Sequence, residues 1–169
     1  MKEEISIVFH GRGGQGAVKA SQILAYAASL DGKYVQAFPN FGIERQGAPL
    51  ESYCRISDKN IFARNEIDSP DYAIVLDETL LNIKKIEAKE IIINSENKKF
   101  TKTFDATKIA LEFLGKNIVN TSMLAAFCHY TELVSKENLL LALKEFFSGK
   151  ILEKNIEIIN QTFKKLEKN

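Results

Sequence analysis

The residues best suited to chemistry form a glycine-rich run near the start of the chain, His10-Gly11-Arg12-Gly13-Gly14-Gln15-Gly16, which satisfies G-x-G-x-x-G. Glycines at this spacing allow a tight turn and let an anion approach the backbone, and a helix that follows them offers free N–H groups. Arg12 can add a bidentate phosphate contact. The run therefore predicts a cofactor-binding loop for a phosphate-bearing ligand, made of Gly11, Arg12, Gly13, Gly14, Gln15 and Gly16.

This run lacks one element of the dinucleotide fingerprint. An acidic residue is expected about 20 positions further on, at the end of the second strand, to hold a ribose hydroxyl. The predicted strand ends in Ala37-Phe38-Pro39, and Asp31 comes too early, in the turn before the strand. Three interpretations stay open: binding of NAD or FAD, close packing of helix and strand without a ligand, and a phosphate-bearing ligand shared with a partner chain.

A second loop runs from Pro39 to Pro49 and carries the charged pair Glu44-Arg45. It follows the second predicted strand, so a doubly wound sheet would place it at the carboxyl edge beside the glycine loop, where ligands bind. We therefore include Glu44 and Arg45 among the predicted binding residues. The alternative is an internal ion pair that only fixes the loop.

Apolar periodicity predicts the elements that position these loops. The predicted strands are Ile5–His10, Tyr34–Phe38, Leu50–Ser57, Tyr72–Leu76 and Ile91–Ile93, with Ile61–Ala63 as a hairpin partner after a turn at 58–60. The predicted helices span about Gln15–Leu30, Asp105–Gly115, Asn120 or Thr121 to Leu133, Ser135–Gly149 and Leu152–Leu166. This order predicts a single α/β domain over residues 1–169. We expect three layers: a Rossmann-like, mostly parallel sheet with helices on both faces, and a helical C-terminal half.

Composition narrows the function classes. The 23 basic and 22 acidic residues give a net charge of +1, which argues against a nucleic-acid-binding protein. Cys54 and Cys128 lie far apart in the sequence and form no CxxC pair, so we expect no zinc site and no iron–sulfur cluster in this chain. The sequence has no apolar run of roughly 18–20 residues and no signal peptide, so we expect a cytoplasmic protein without a membrane segment.

Two further residues have two interpretations each, and a third has one. His10, at the end of the first strand, is either a proton-carrying or phosphate-contacting group or an ordinary hydrogen-bonded histidine. Asp77, just after an apolar strand, is a helix cap or a site residue, and we favour the cap. His129 we expect to be structural.

The two loops together resemble the gamma subunit of pyruvate:ferredoxin oxidoreductase, and the 2-oxoisovalerate enzyme has a similar subunit. The resemblance rests on residues 9–18 and 36–49 and continues through Arg55-Ile56-Ser57, Pro70-Asp71-Tyr72, Asp105-Ala106-Thr107 and Ile118-Val119-Asn120-Thr121. It covers nearly the whole chain. Two departures are Gln46, where the family usually has a second arginine, and Lys19, where it often has threonine.

The resemblance implies a subunit of a multi-chain enzyme. Such enzymes decarboxylate a 2-oxoacid, here expected to be pyruvate, on thiamine diphosphate. They pass electrons through 4Fe–4S clusters to ferredoxin and transfer the acyl group to coenzyme A. Thiamine diphosphate, magnesium and the clusters are expected on partner subunits of the alpha, beta and delta types, with coenzyme A as a shared ligand of the two loops. No catalytic residue is assigned to this chain. The alternatives are the gamma subunit of the branched-chain 2-oxoisovalerate enzyme and a stand-alone Rossmann-like nucleotide-binding module.

Overall fold

The computed structural model describes residues 3–40, 47–97, 99–100 and 102–168. The strands are β1 (Glu4–Arg12), β2 (Tyr34–Pro39), β3 (Pro49–Ser57), β4 (Tyr72–Val75), β5 (Glu90–Asn94) and β6 (Lys102–Phe104). The α-helices are α1 (Ala17–Ser29), α2 (Ala106–Leu114), α3 (Asn120–Thr131), α4 (Lys136–Phe146) and α5 (Gly149–Leu166). A 3₁₀ helix spans Glu78–Asn82. The α/β class and the helical C-terminal half are confirmed.

The six strands form one mixed sheet in the order β2-β3-β1-β4-β5-β6. The strand β3 pairs antiparallel with both β1 and β2, whereas β1, β4, β5 and β6 pair parallel to one another. Only β3 therefore runs against the others. The chain leaves β1 through α1 towards β2 on one side, while β4 lies on the other side of β1. The strand order thus reverses beside β1, which is where ligands bind in open α/β sheets.

The helices cover the two faces of the sheet very unequally. All five α-helices bury apolar side chains in one core cluster with alternate sheet residues such as Ile7, Phe9 and Ile74. The intervening residues Val8 and Val75 point to the opposite face, and we call this side the second face. In the described residues, the helical contribution there is Leu80 of the 3₁₀ helix, which is 5% exposed and lies outside the main cluster. The predicted helical cover of the second face is therefore reduced to this 3₁₀ helix.

Right-handed crossovers explain this imbalance. The connection through α1 moves one way across the sheet, whereas β4, β5 and β6 progress the other way, so their connections must pass over the second face. Those connections are residues 76–89 and 95–101. The first contains the 3₁₀ helix rather than an α-helix, and the second is shorter than the dozen or so residues that a crossover with an α-helix needs.

Helix α1 lies close to the sheet because its inner face is small. Ala17, Ala20 and Ala27 are fully buried, and the Ser21 hydroxyl is 2.6 Å from that of Ser52 on β3. The predicted helix thus forms, although it begins at Ala17 rather than Gln15, because Gly16 adopts a left-handed conformation (φ 85°) at its N-cap.

Most predicted helix ends are confirmed by their caps. Asp105, Ser135 and Asp77 each accept a hydrogen bond from the backbone N–H two or three residues ahead. The predicted boundary between the last two helices was wrong. Helix α4 ends at Phe146 because Phe147 and Ser148 are extended, and α5 already begins at Gly149 rather than Leu152.

The predicted hairpin strand Ile61–Ala63 was also wrong, because this segment makes no ladder with the sheet. Side chains hold it instead. Buried Arg55 donates to the Asn65 carbonyl at 2.8 Å, and Gln36 donates to the Ala63 carbonyl at 3.0 Å. The segment is therefore an irregular cover on the second face of β2 and β3.

Candidate functional site

The glycine loop joins β1 to α1 as predicted, and its first glycine is closely packed. An added Cβ at Gly11 would lie 3.1 Å from Cδ1 of Leu76 and 3.2 Å from Cβ of Ala17. Leu76 directly follows β4 and Ala17 opens α1. Gly11 therefore lets strand and helix approach each other beside the point where the strand order reverses.

The last glycine of the loop meets another helix. Gly16 has φ 85°, and a Cβ there would lie 2.6 Å from Nδ2 and 2.8 Å from Cγ of Asn120, the first residue of α3. Asn120 is 2% exposed, and its Oδ1 accepts the Thr121 N–H at 2.9 Å. The N-terminus of α1 is thus partly covered by this buried amide, which occupies space that an open phosphate cradle would leave free.

The glycine loop and the second loop are joined through their backbones. The Gly13 N–H donates to the Ala48 carbonyl at 3.0 Å, and the Gly47 N–H donates to the Gly13 carbonyl at 3.1 Å. The pairing continues the β1–β3 ladder, in which Arg12 lies opposite Pro49. The predicted proximity of the two motifs therefore holds for the described end of the second loop. Glu44 and Arg45, both predicted binding residues, lie outside the described residues.

Arg12 is bound within the chain through all three guanidinium nitrogens. Its Nε donates to Oδ2 of Asp77 at 3.0 Å, Nη2 to the Thr79 hydroxyl at 2.8 Å, and Nη1 to the Gly47 carbonyl at 3.2 Å. The side chain thus links the glycine loop to the 3₁₀ helix and to the second loop. We call this arrangement the Arg12 clamp. It uses the guanidinium group for which the sequence analysis predicted a bidentate phosphate contact.

Asp77 is the central acceptor of the clamp. It accepts the backbone N–H of Thr79 at 3.0 Å as the 3₁₀ helix cap, and the Gln15 amide donates to it at 3.3 Å. Burial alone would raise the Asp77 pKa, but hydrogen bonds from Thr79 and the charge of Arg12 outweigh it, so this pKa lies below its usual value. Gln15 also accepts the Arg12 N–H at 2.8 Å. Asp77 is therefore both the predicted cap and a member of the site.

A crevice of about 480 Å³ opens at the carboxyl edge next to the clamp, between Gln15 and the N-terminus of α2. Four carboxylates and a single lysine line it: Asp77, Glu78, Glu96, Asp105 and Lys108. This charge balance disfavours a phosphate in the crevice itself. The dinucleotide interpretation of the loop therefore has no support from the charges around it.

A second polar cluster lies on the other side of β1, where His10 faces Glu51 in the strand ladder. His10 Nδ1 is 3.1 Å from Oε1 of Glu51, which also pairs with Lys84, and the Tyr53 hydroxyl donates to Oε2 at 3.0 Å. The hydrogen bond from His10 and the contact with Lys84 outweigh burial and lower the Glu51 pKa to about 2. The Glu51 carboxylate therefore orients the imidazole ring of His10, which is 7% exposed.

Sequence reasoning named His10 but missed Glu51 and Lys84. The contact between His10 and Glu51 follows from the antiparallel register of β3, which was not predicted as a neighbour of β1. Lys84 belongs to the irregular connection after β4, and no sequence pattern predicts the path of that connection. His129 makes edge contacts with the rings of Tyr130 and Phe163, which supports a structural role.

The cysteines are placed for packing. Cys54 and Cys128 are both free and buried, and burial raises the pKa of each thiol to about 12. In the described ranges, no three His, Cys, Asp or Glu side chains come together as a metal-binding group. None of the helices in those ranges is long and apolar enough to cross a membrane.

Comparison with known proteins assigns the family. A sequence profile described as pyruvate ferredoxin/flavodoxin oxidoreductase matches residues 6–165. The chain belongs to this family. Pyruvate synthase subunit PorC of Methanothermobacter marburgensis is 49% identical over 174 aligned positions, which cover 96% of this chain and 98% of the relative.

Two further relatives agree. The pyruvate/ketoisovalerate oxidoreductases common subunit gamma of Thermococcus litoralis is 47% identical over 178 positions, covering 95% of this chain and 96% of the relative. The crystal structure of pyruvate oxidoreductase subunit PORC of Thermotoga maritima has a TM-score of 0.82 at 32% identity, covering 96% of this chain and 97% of the other. The resemblance drawn from the two loop motifs is therefore confirmed, and this oxidoreductase family member is a gamma subunit.

Proposed function

We propose that this chain, acting as one domain over residues 1–169, supports pyruvate oxidation in a cytoplasmic enzyme that reduces ferredoxin and forms acyl-coenzyme A. Alpha, beta and delta-type subunits would carry thiamine diphosphate, magnesium and the 4Fe–4S clusters. Two fully enclosed thiols with pKa values near 12 are poor cluster ligands, which supports this division. The match to a gamma subunit named as common to pyruvate and ketoisovalerate enzymes supports placing 2-oxoacid specificity on the partners.

Within that enzyme, we propose that the glycine loop is a preassembled platform that presents the second loop to neighbouring subunits. The observation that carries this role is the Arg12 clamp, in which each of the three guanidinium nitrogens donates a hydrogen bond inside the chain. Reciprocal backbone bonds between Gly13 and residues 47–48 fix the same junction. A glycine loop that is ordered before assembly loses less conformational entropy when the chain docks.

Coenzyme A binding by Gly11, Arg12, Gly13, Gly14, Gln15, Gly16, Glu44 and Arg45 is the second candidate. One observation favours it: Gly14, at the tip of the loop, has no atom within 4 Å of an added Cβ. An anion could approach the backbone at this point. In this case, Arg12 would exchange its clamp contacts for a phosphate of the ligand.

The variant Arg12→Ala separates the two roles in the assembled enzyme, with Arg64→Ala as a control because Arg64 is an exposed arginine remote from the loop. The platform role predicts an unchanged Michaelis constant for coenzyme A and weaker retention of this chain in the complex. The coenzyme A role predicts an intact complex and a constant raised about 10- to 100-fold, since a charge-assisted hydrogen bond contributes about 1.5–3 kcal/mol. A variant that matches the control in both measurements would contradict both roles.

Anaerobic purification of the tagged chain from its own cells tests the function as a whole. The platform and coenzyme A roles both require co-purified subunits that reduce ferredoxin with a 2-oxoacid and coenzyme A, and the preferred 2-oxoacid identifies the substrate. Recovery of the chain alone, inactive but binding a nucleotide, would favour the stand-alone module instead.

A further inference from the structure

An apolar groove lies at the β6 edge of the sheet. Strand β5 begins at Glu90, but the described part of β6 pairs with it from Ile92 onward, so among the described residues the start of β5 has no neighbouring strand on that side. The groove has a volume of about 560 Å³. We call it the β6-edge groove; its apolar lining is Leu81, Ala88, Ile91, Ile93 and Phe100, and its charged lining is Lys89, Lys99, Lys102 and Glu90.

The groove lies on the second face, and the α-helices of the described residues pack into the core on the other face. In a parallel sheet both faces are normally covered, and strands such as β5 are apolar on both sides. Here Ile91 and Phe100 stay partly exposed, although Ile93 beside them is 3% exposed. The position that a crossover helix would occupy in a doubly wound fold is therefore an open apolar surface.

Charge distinguishes this groove from the crevice at the carboxyl edge. Three lysines face a single glutamate at the rim, whereas four carboxylates face a single lysine in the crevice. Lys102 pairs with Glu90 of the lining, and Lys89 pairs with Asp71, which is not part of the lining. Lys99 is exposed on the segment before β6. The rim therefore attracts carboxylates.

We propose that the β6-edge groove receives a segment of another subunit of the same enzyme, in which an apolar side chain is flanked by aspartate or glutamate residues. An apolar centre with a charged rim is the usual anatomy of a protein interface, and the lysines complement an acidic segment. The inference rests on the assignment of this chain as a subunit of a multi-chain enzyme.

Carbodiimide cross-linking of the assembled enzyme tests the site directly, because this reagent joins a lysine amine to a carboxylate that already contacts it. We expect Lys99 to be joined to an aspartate or glutamate of another subunit, next to an apolar residue. A cross-link from Lys99 to a second copy of this chain would overturn the proposal. So would the absence of any Lys99 cross-link in a sample where other inter-subunit cross-links of this chain form.

Charge reversal gives a quantitative test. Lys99→Glu is compared with Lys150→Glu, which reverses an exposed lysine in the first turn of α5, on the helical side of the sheet. In about 50 mM salt we expect Lys99→Glu to weaken binding to the remaining subunits about five- to tenfold, and the difference to disappear near 500 mM. Lys150→Glu should stay within about twofold of the wild type.

Equal binding by the two variants, in a complex that still assembles, would refute the groove and leave the subunit function intact. If the wild-type chain binds no other subunit at all, the proposed function fails and the groove proposal fails with it. Circular dichroism of both variants before assembly separates a folding defect from a binding defect.

Discussion

Replacing Gly16 by alanine tests whether the third glycine of G-x-G-x-x-G serves packing or a ligand. A non-glycine residue in the left-handed region costs about 1–2 kcal/mol, and Gly16 has φ 85°. The new Cβ would also lie 2.6 Å from Nδ2 and 2.8 Å from Cγ of Asn120. Overpacking of this kind costs about 1–3 kcal/mol. We therefore expect Gly16→Ala to lower the free energy of unfolding by about 2–5 kcal/mol.

Gly14→Ala is the matched control. Gly14 also has a positive φ, 97°, but an added Cβ would have no atom within 4 Å. Gly14→Ala should therefore lower the free energy of unfolding only by the conformational cost, about 1–2 kcal/mol. Urea unfolding followed by circular dichroism measures both variants, and their difference of about 1–3 kcal/mol isolates the contact with Asn120.

The double variant Gly16→Ala with Asn120→Ala completes the cycle. Removing the amide eliminates the two shortest contacts and leaves the Asn120 Cβ, 3.1 Å away, as the third. The loss caused by Gly16→Ala should then shrink towards that of Gly14→Ala, with a coupling energy of at least about 1 kcal/mol. Equal losses for Gly16→Ala and Gly14→Ala, together with no coupling to Asn120, would refute the packing role.

Three other predictions concern side chains that are buried or partly buried. Because its folded pKa is lowered from 4.5 to about 2, the Glu51 carboxylate should contribute about 2–3 kcal/mol above pH 4.5 and lose this contribution as the pH falls towards 2. Glu51→Gln should therefore be less stable than the wild type at pH 7, and urea unfolding should show the gap closing below pH 4.5; a gap that does not change with pH would contradict the ion cluster. Cys54 and Cys128, with pKa values near 12, should resist iodoacetamide at pH 8 in the folded chain and react in urea, as mass spectrometry can measure; rapid labelling of the folded chain would contradict their burial. Asn94→Ala removes an amide that donates to the Leu76 carbonyl and accepts the Ala106 N–H, each at 2.9 Å, and should cost about 3–5 kcal/mol in thermal unfolding; a loss below about 1 kcal/mol would contradict this link between β5 and α2.

Elements with local signals were predictable from the sequence. Strand β1, the glycine loop and α1 follow from an alternating run, a glycine cluster and a helical apolar period. Asp105 and Ser135 mark helix starts because their side chains accept the N–H three residues ahead. Each of these signals lies within a few residues of the structure that it specifies.

Elements that depend on distant contacts were not predictable. Strand β6 spans only Lys102–Phe104, which is too short to show a period. The Ile61–Ala63 segment was predicted to be a strand, but Gln36 binds the Ala63 carbonyl and Arg55 binds the Asn65 carbonyl, and the segment is irregular chain. The Arg12 clamp joins residues 65 positions apart in the sequence, and no local pattern indicates that Asp77 is the partner.

The glycine motif shows how one sequence pattern can serve two physical requirements. A phosphate cradle and a close helix junction both need small residues and a positive φ, so G-x-G-x-x-G alone does not distinguish them. The groups around the loop do distinguish them. Asn120 fills the space beside Gly16. Arg12 donates hydrogen bonds to Asp77, Thr79 and Gly47. The adjoining crevice is acidic. These contacts fix the loop before any ligand binds, which favours its role as a rigid junction in a larger assembly.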